Sequence, residues 1–383
     1  MSDPWLTIVG IGEDGPDGLP PASRAALDRA EVIFGGPRHL ALAGARGRPW
    51  PVPFSVTPVL AERGRRVVVL ASGDPFWHGA GAGLAAALER HEWRAIPAPS
   101  TPSLMAARLG WRLEEVAVMG LHAAPFARLR PLLTRGGRVI VTLRDGAAAT
   151  ELADWLTVQG HGPSRIWLGE ALGGPRERIT ETTASDGITD ARAPCILAIE
   201  AAGSGFLPRV AGLNDALFAH DGQITKAPIR AMTLAALSPR AGEHLWDIGA
   251  GSGSVAVEWC LAGGTAVAVE VREDRARNIR ANARAFGVDH RLTVLEGAAP
   301  ETLPDTAPAA IFIGGGFSDT LLAALPAARL VINAVTLETE ARLIALHGER
   351  GGRLMRVGIE TAAPLGQGRG WTPSRPLVQW CCP

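Results

Sequence analysis

The sequence predicts an α/β protein of two wound domains, and three observations lead there. Its 383 residues exceed one average domain, so two or more are expected, each able to bury its own core. Short β-rich runs alternate with amphipathic helical stretches through both halves. Two of those runs feed glycine-rich turns, IVGIGEDG at residues 8–15 and WDIGAGSGSVAVE at residues 246–258.

In the first half the clear strands are Leu6 to Ile11, Arg66 to Leu70, Arg138 to Thr142 and Ile196 to Ile199. Between residues 201 and 215, AAGSGFLPRVAGLND loses periodicity and gains Gly, Ser and Pro, which reads as a linker. A second alternation follows, in which Leu245 to Ile248, Ala266 to Val271, Leu292 to Leu295, Ala309 to Ile313 and Leu330 to Asn333 read as parallel strands separated by helices. This is a doubly wound sheet with its ligand crevice at the strand carboxyl ends.

Composition narrows the function classes. Hydrophobic residues at 47% with charged residues at 20% give a globular chain. The formal net charge is zero and no basic block stands out, which argues against a nucleic-acid partner. The N-terminus MSDPWLTIVGIGEDG has no basic n-region, and no apolar run approaches the roughly 20 residues of a membrane helix, so a cytoplasmic protein without a membrane partner is expected. Cys195, Cys260, Cys381 and Cys382 show no C-x-x-C spacing and no histidine pairing, against zinc and against a disulfide framework; no metal is expected. Cys260 falls mid-helix, where a buried structural thiol is expected. Among 38 basic residues only Lys226 is a lysine.

The second-half turn is the more informative. Only glycine lets a backbone come so near a ligand at a helix start. A dinucleotide fingerprint needs glycine or alanine at its sixth position, but Ser254 stands there, and Gly249, Gly251 and Gly253 alternate instead. Asp247, two residues before the first glycine, suits a ligand carrying an ammonium and a sulfonium better than a pyrophosphate. S-adenosylmethionine fits best. Glu270, 17 residues past Gly253, ends the next strand where a carboxylate accepts both ribose hydroxyls. After the third strand come Gly297 and Ala298, where an acid often meets the adenine amine; with alanine there, recognition falls to the backbone. IFIGGG at residues 311–316 replaces the Asn/Asp-Pro-Pro-aromatic motif of amino-group methyltransferases and leaves room for a bulky flat substrate that is itself the nucleophile.

In the first half, Gly10 and Gly12 follow the first strand, Ser72-Gly73-Asp74-Pro75 ends the second, and Pro99-Ser100-Thr101 opens a helix ending at Ala107-Arg108-Leu109-Gly110. Together with Gly169-Glu170-Ala171-Leu172-Gly173 and Glu177-Arg178-Ile179, these resemble the tetrapyrrole methylase family over nearly all of residues 1–202. The resemblance implies a two-lobed α/β fold with S-adenosylmethionine in the cleft, held by Gly10, Gly12, Ser72, Gly73, Asp74, Ser100 and Thr101. One departure is Glu13-Asp14, where many members have Pro-Gly.

Residues 213–383 resemble the decarboxylating precorrin methyltransferases of cobalamin biosynthesis. The matching residues are Leu213-Asn214-Asp215, Phe218, Gly222-Gln223-Ile224-Thr225-Lys226, Ile229-Arg230, the glycine turn, IFIGGG and Ile332-Asn333-Ala334-Val335-Thr336-Leu337-Glu338. That implies a Rossmann-like class I methyltransferase domain, a tetrapyrrole (precorrin) substrate and two S-adenosylmethionine sites per chain. It implies methylation of carbon 5 by residues 1–202, and of carbon 15 with decarboxylation by residues 213–383. It also gives Thr225 and Lys226 catalytic roles just before a helix starting near Pro228, and it implies a homo-oligomer, dimer or tetramer. The substrate's carboxylates call for arginines such as Arg176 with Arg178, or Arg353 with Arg356. Two other readings stand beside this one. A nicotinamide oxidoreductase would use Gly249, Gly251 and Glu270 but leaves residues 1–202 unexplained, and a non-catalytic S-adenosylmethionine sensor would bind without turnover.

Overall fold

The structure is a computed structural model and describes residues 4–382, so the outermost ends of the two expected domains lie outside the described residues. The chain divides into two compact units. One takes the chain to Phe126 together with Leu132–Phe206, and the other takes Ala127–Pro131 and the chain from Leu207.

The first unit holds two five-stranded sheets. The first runs Arg48–Pro49, Val32–Gly35, Val67–Ser72, Leu6–Ile11, Trp93–Ile96, all parallel. Leu6–Ile11 is buried along its whole length, and a strand covered on both faces is written as a nearly continuous apolar run, here broken only by Thr7, which makes it legible in sequence. Parallel pairing carries the ends of Leu6–Ile11, Val67–Ser72 and Trp93–Ile96 to one edge, so the three loops that follow emerge side by side. From the third rises the helix Thr101–Leu109, capped by the Ser100 hydroxyl on the Ser103 N–H at 3.2 Å and ended by Gly110 in the left-handed region. The second sheet is mixed and runs Val116–Gly120, Arg138–Thr142, Cys195–Glu200, Arg165–Glu170, Arg178–Thr183. Some strands that sequence periodicity did not mark are short, like Val32–Gly35, or lie half open, like Val116–Gly120; Arg165–Glu170 is neither, being six residues long and buried after its first.

In the second unit one sheet runs Leu292–Glu296, Thr265–Glu270, His244–Ile248, Ala310–Ile313, Arg329–Ala334, Leu377–Cys382, Arg353–Val357. The first five are parallel, as expected. Leu377–Cys382 alone is reversed, pairing antiparallel with Arg329–Ala334 on one side and with Arg353–Val357 on the other, so Arg353–Val357 points the same way as the first five; neither of these two strands was marked by sequence pattern. Leu377–Cys382 reaches its slot only after an exposed hairpin of Glu360–Leu365 and Gly368–Pro373, so no helical crossover precedes it. The expected linker also shortens. Leu213 is buried in the second unit's core beside Phe218, and the Gly212 and Leu213 N–H groups donate to the Glu258 carboxylate at 2.7 and 3.0 Å.

Among the described residues no helix is long and apolar enough to cross a membrane, and no group of His, Cys, Asp or Glu is placed to hold a metal.

Candidate functional sites in the two units

At the carboxyl edge of the first sheet lies a cavity of about 540 Å³, lined among others by Gly12, Ser72, Gly73, Ser100 and Thr101. Gly10 and Asp74 stand behind this wall. A Cβ on Gly10 would fall 1.9 Å from the Gly73 carbonyl oxygen and 2.5 Å from the Ala98 nitrogen, so its lack of a side chain is what lets the three loops close on one another. The Asp74 carboxylate accepts the Phe76 N–H at 2.9 Å and shapes the turn. Residues of the second sheet's loops, including Thr142, Arg144, Gly169 and Cys195, form the opposite wall.

Three buried polar atoms of lining residues have no partner: Trp77 Nε1, His39 Nδ1 and Thr142 Oγ1. Buried polar groups are nearly always bonded, so the cavity fits a polar occupant that completes them. Its charged rim was only half visible in the sequence. Glu13, with a side chain 8% exposed, pairs with Arg38 and lies 3.6 Å from Arg176. Arg38 reaches the Ser72 hydroxyl at 3.4 Å and His39 Nε2 at 3.0 Å. Burial, then the Arg38 charge, brings His39 down to about 4 and keeps it neutral at pH 7. Arg178 does not join Arg176 here; it turns to Glu170 at 2.5 Å and the Asp190 carbonyl at 3.0 Å. Burial pushes the Cys195 thiol up to about 11, which makes it a packing residue.

In the second unit Gly249, Gly251 and Gly253 all have positive φ, at 66°, 60° and 69°. A Cβ on Gly249 would meet the Gly315 carbonyl oxygen at 2.4 Å, and one on Gly253 would meet Ile279 at 2.6 Å. At Gly251 the nearest atom is the Gln223 carbonyl oxygen at 3.6 Å, so this glycine alone of the three faces open space. Glu270 accepts the Gly251 N–H at 2.8 Å and the Arg272 N–H at 3.0 Å, and its own carbonyl accepts the Gly297 N–H at 3.1 Å. The structure thus brings Gly251, Glu270 and Gly297 together, with Ala298 exposed beside them. Asp247 is sealed beneath the turn. One carboxylate oxygen accepts the Ala256 N–H at 3.1 Å and the other has no partner. Burial, opposed by that bond and reinforced by the Glu270 charge, pushes it up to about 7. Gly315 packs on Gly249, whereas Gly316 meets nothing within 4 Å. Cys260 is buried and its thiol is pushed up to about 12.

Thr225 and Lys226 precede the helix Ala227–Leu237, with Lys226 at its N-cap position making no side-chain cap bond. The Lys226 ammonium lies 3.8 Å from Asp215 and its side chain is 59% exposed. What holds this arm in place is a residue that sequence reading quoted without giving it a role. Arg230 is fully buried; its guanidinium donates to Glu258 at 2.5 Å, Asp215 at 3.1 Å, the Thr225 carbonyl at 2.5 Å and the Leu213 carbonyl, and lies over the Phe218 ring. Asn282 completes the clamp by bonding the Ala219 N–H, the Ala219 carbonyl and the Ser252 carbonyl of the glycine turn at 2.7, 3.0 and 2.9 Å.

Two α/β units, each with a glycine-built site at the ends of parallel strands, define a two-domain protein for nucleotide-like ligands. Residues 5–186 match the tetrapyrrole (corrin/porphyrin) methylases, and residues 216–383 match the precorrin methyltransferase domain. The class is therefore a double methyltransferase. A relative from Sinorhizobium sp, named precorrin-6Y C(5,15)-methyltransferase (decarboxylating), is 46% identical over 98% of this chain and 96% of its own length. One of the same name from Mycobacterium tuberculosis is 42% identical, covering 98% of each. A cobalt-precorrin-7 C(5)-methyltransferase from Salmonella typhimurium is 31% identical over 179 residues, 45% of this chain and 88% of its own. The chain belongs to the family of decarboxylating precorrin-6Y C(5,15)-methyltransferases. Membership sets aside the nicotinamide reading.

Proposed function

We propose that this chain methylates precorrin-6Y at carbons 5 and 15 and releases the ring C acetate carboxyl as carbon dioxide, giving precorrin-8X. The observation that carries this is the match at 46% identity over 98% of the chain to a protein named for that reaction. Two sites of unrelated build in one chain support two methyl transfers and two S-adenosylmethionine molecules. When bound, that cofactor supplies an electrophilic methyl group. In the first unit Gly12, Ser72, Gly73, Ser100 and Thr101 would hold it, in a cavity whose unpartnered polar atoms fit such an occupant. In the second, Glu270 would take the ribose, Gly251 would give backbone access, Gly297 and Ala298 would border the adenine, and Asp247 would favour a cation from beneath the turn.

The second unit is read as a Rossmann-like class I methyltransferase domain, on the order of its five parallel strands and the single reversed strand Leu377–Cys382 set between the fifth and Arg353–Val357. Carbon 5 is assigned to residues 1–202 and carbon 15 with decarboxylation to residues 213–383. In support, the halves match two different families, and a relative named for carbon 5 alone covers 45% of the chain. An electron-rich ring carbon is the nucleophile, so the enzyme's part is largely in-line positioning, with Thr225 and Lys226 at the substrate side of the second site. The protein is read as a cytoplasmic homo-oligomer. Incubating purified precorrin-6Y with S-adenosylmethionine carrying a ¹³C methyl tests the reaction. The expected product gains two methyl groups at carbons 5 and 15 and loses one carbon dioxide; unchanged substrate refutes the reading.

A further inference from the structure

Methylating a meso carbon replaces its hydrogen, so something must take the proton. Six other ionisable residues line the first unit's cavity beside His122: Glu13, Arg38, His39, His78, Arg144 and Cys195. Glu13 is held between Arg38 and Arg176. Arg38 and Arg144 are cations with no lone pair to offer. His39 takes the Arg38 guanidinium on Nε2, and Cys195 is a buried thiol donating to the Asp145 carbonyl. That leaves two imidazoles, His78 from the loop after Val67–Ser72 and His122 from the loop after Val116–Gly120, with ring centroids 6.4 Å apart.

Their arrangement is built. His78 sits in the left-handed region at φ 52°, a costly conformation for a side chain of that size. A Cβ on Gly120 would lie 2.6 Å from His78 Nε2, so the ring packs directly on Gly120 and a larger residue there would push it aside. The His122 ring is accessible in the cleft and donates a hydrogen bond to the main chain at Leu143, which lines the same cavity. A ring fixed through one nitrogen presents the other as an acceptor.

Resting on the assignment of carbon 5 to this unit, we propose that His122 is the general base of the first site, removing the proton from the carbon being methylated, with His78 as its positioning residue. The ring carbon bonds to the methyl carbon while the methyl–sulfur bond breaks and its electron pair stays on sulfur. The C–H electron pair then returns to the conjugated ring and the proton passes to His122 and on to solvent. No oxidant or reductant is needed. Desolvation in the cleft lowers His122 below the ordinary histidine value; the Leu143 bond opposes this and the neighbouring His78 adds to it, so the ring is neutral and ready to accept at pH 7.

The test uses the full-length enzyme with His122→Gln and His122→Ala. Carbon 5 methylation should fall about 100-fold or more. Cofactor affinity at the first site, carbon 15 methylation and carbon dioxide release should stay at wild-type levels. Added imidazole should partly restore His122→Ala, and the rise of the wild-type carbon 5 rate with pH should vanish in both variants. In ring-labelled protein the His122 NMR signal should titrate below pH 6.5. Undiminished carbon 5 methylation, or a loss of cofactor affinity that accounts for the whole defect, overturns the base. Gly73→Val separates the underlying assignment, because carbon 5 methylation that survives it moves that reaction out of this unit, whatever His122 does.

Discussion

The two glycine-rich turns look alike in sequence and do different work. In the first unit Gly10 is consumed by chain packing, its missing Cβ occupied by the Gly73 and Ala98 backbones, and the ligand space is made by three loops and an opposing wall. In the second, Gly249 and Gly253 pack while Gly251 stands open above a buried carboxylate. A glycine motif therefore reports close approach, and the structure says whether the neighbour is protein or ligand. The units also differ in how their charges are kept. The first holds its arginines around a rim, and the second buries one guanidinium completely.

The sharpest break of this comparison is steric. Gly251→Val places its side chain in open space, so the second site should lose cofactor affinity by at least ~100-fold, about 2.7 kcal/mol, while the first binds normally. Gly73→Val should silence the first site by a different route. Its Cβ meets the Pro99 carbonyl oxygen at 2.8 Å and Ser100 Cα at 3.0 Å, so the loop carrying Ser100 and Thr101 must move. Titration calorimetry should find one equivalent in each variant instead of two. Two equivalents in either would refute the corresponding site.

Next in size is Arg230→Met. Removing one partner of a buried ion pair costs about 3–5 kcal/mol. Hydrogen exchange should show loosening of residues 212–226 and the helix Ser254–Leu261, with the first unit unchanged. Arg178→Met, which removes a half-exposed partner of Glu170, should loosen its own unit less. Equal effects would erase the distinction between rim and buried charge.

Smaller again, and opposite in sign, is the response to pH. His39 is lowered when folded, so its contribution is present above its ordinary value of 6.5 and is lost as pH falls from there towards 4. Asp247 is raised when folded, so its contribution is present below 3.8 and is lost as pH rises through about 7. Falling pH should weaken the first unit between about 6.5 and 4, and rising pH should weaken the second between about 3.8 and 7, each on the order of 1–3 kcal/mol. Exchange measured unit by unit across pH 4–8 reads both, and Asp247→Asn should flatten the second.

The smallest structural effect belongs to Lys226→Met. With its ammonium 3.8 Å from Asp215 and mostly exposed, its loss should change stability by no more than about 0.5 kcal/mol. Turnover at the second site should drop all the same, because an exposed cation at a helix N-terminus opposes the macrodipole and does not serve the helix. Unchanged turnover would leave Lys226 as a helix-start residue only.

By itself the sequence determined the buried parallel strands and the turns that end them. Leu6–Ile11 and His244–Ile248 are covered on both faces, so burial favours mostly apolar runs, interrupted by Thr7 in the first and by Asp247 in the second, and the glycines that follow are local requirements of backbone geometry. The neighbourhoods were decided only by the tertiary structure. Arg230 sits in a helix where an arginine reads as surface, and it is buried because Glu258, 28 residues on, and three main-chain or carboxylate acceptors converge on it. Leu377–Cys382 becomes an inner strand through partners on both sides, a choice of pairing that no local pattern encodes. His78 and His122 meet because two strands of different sheets end at one cavity, while 43 residues of chain separate them. Periodicity and turn chemistry act over a few residues; charge compensation and strand pairing act through space, and so only the folded chain settles them.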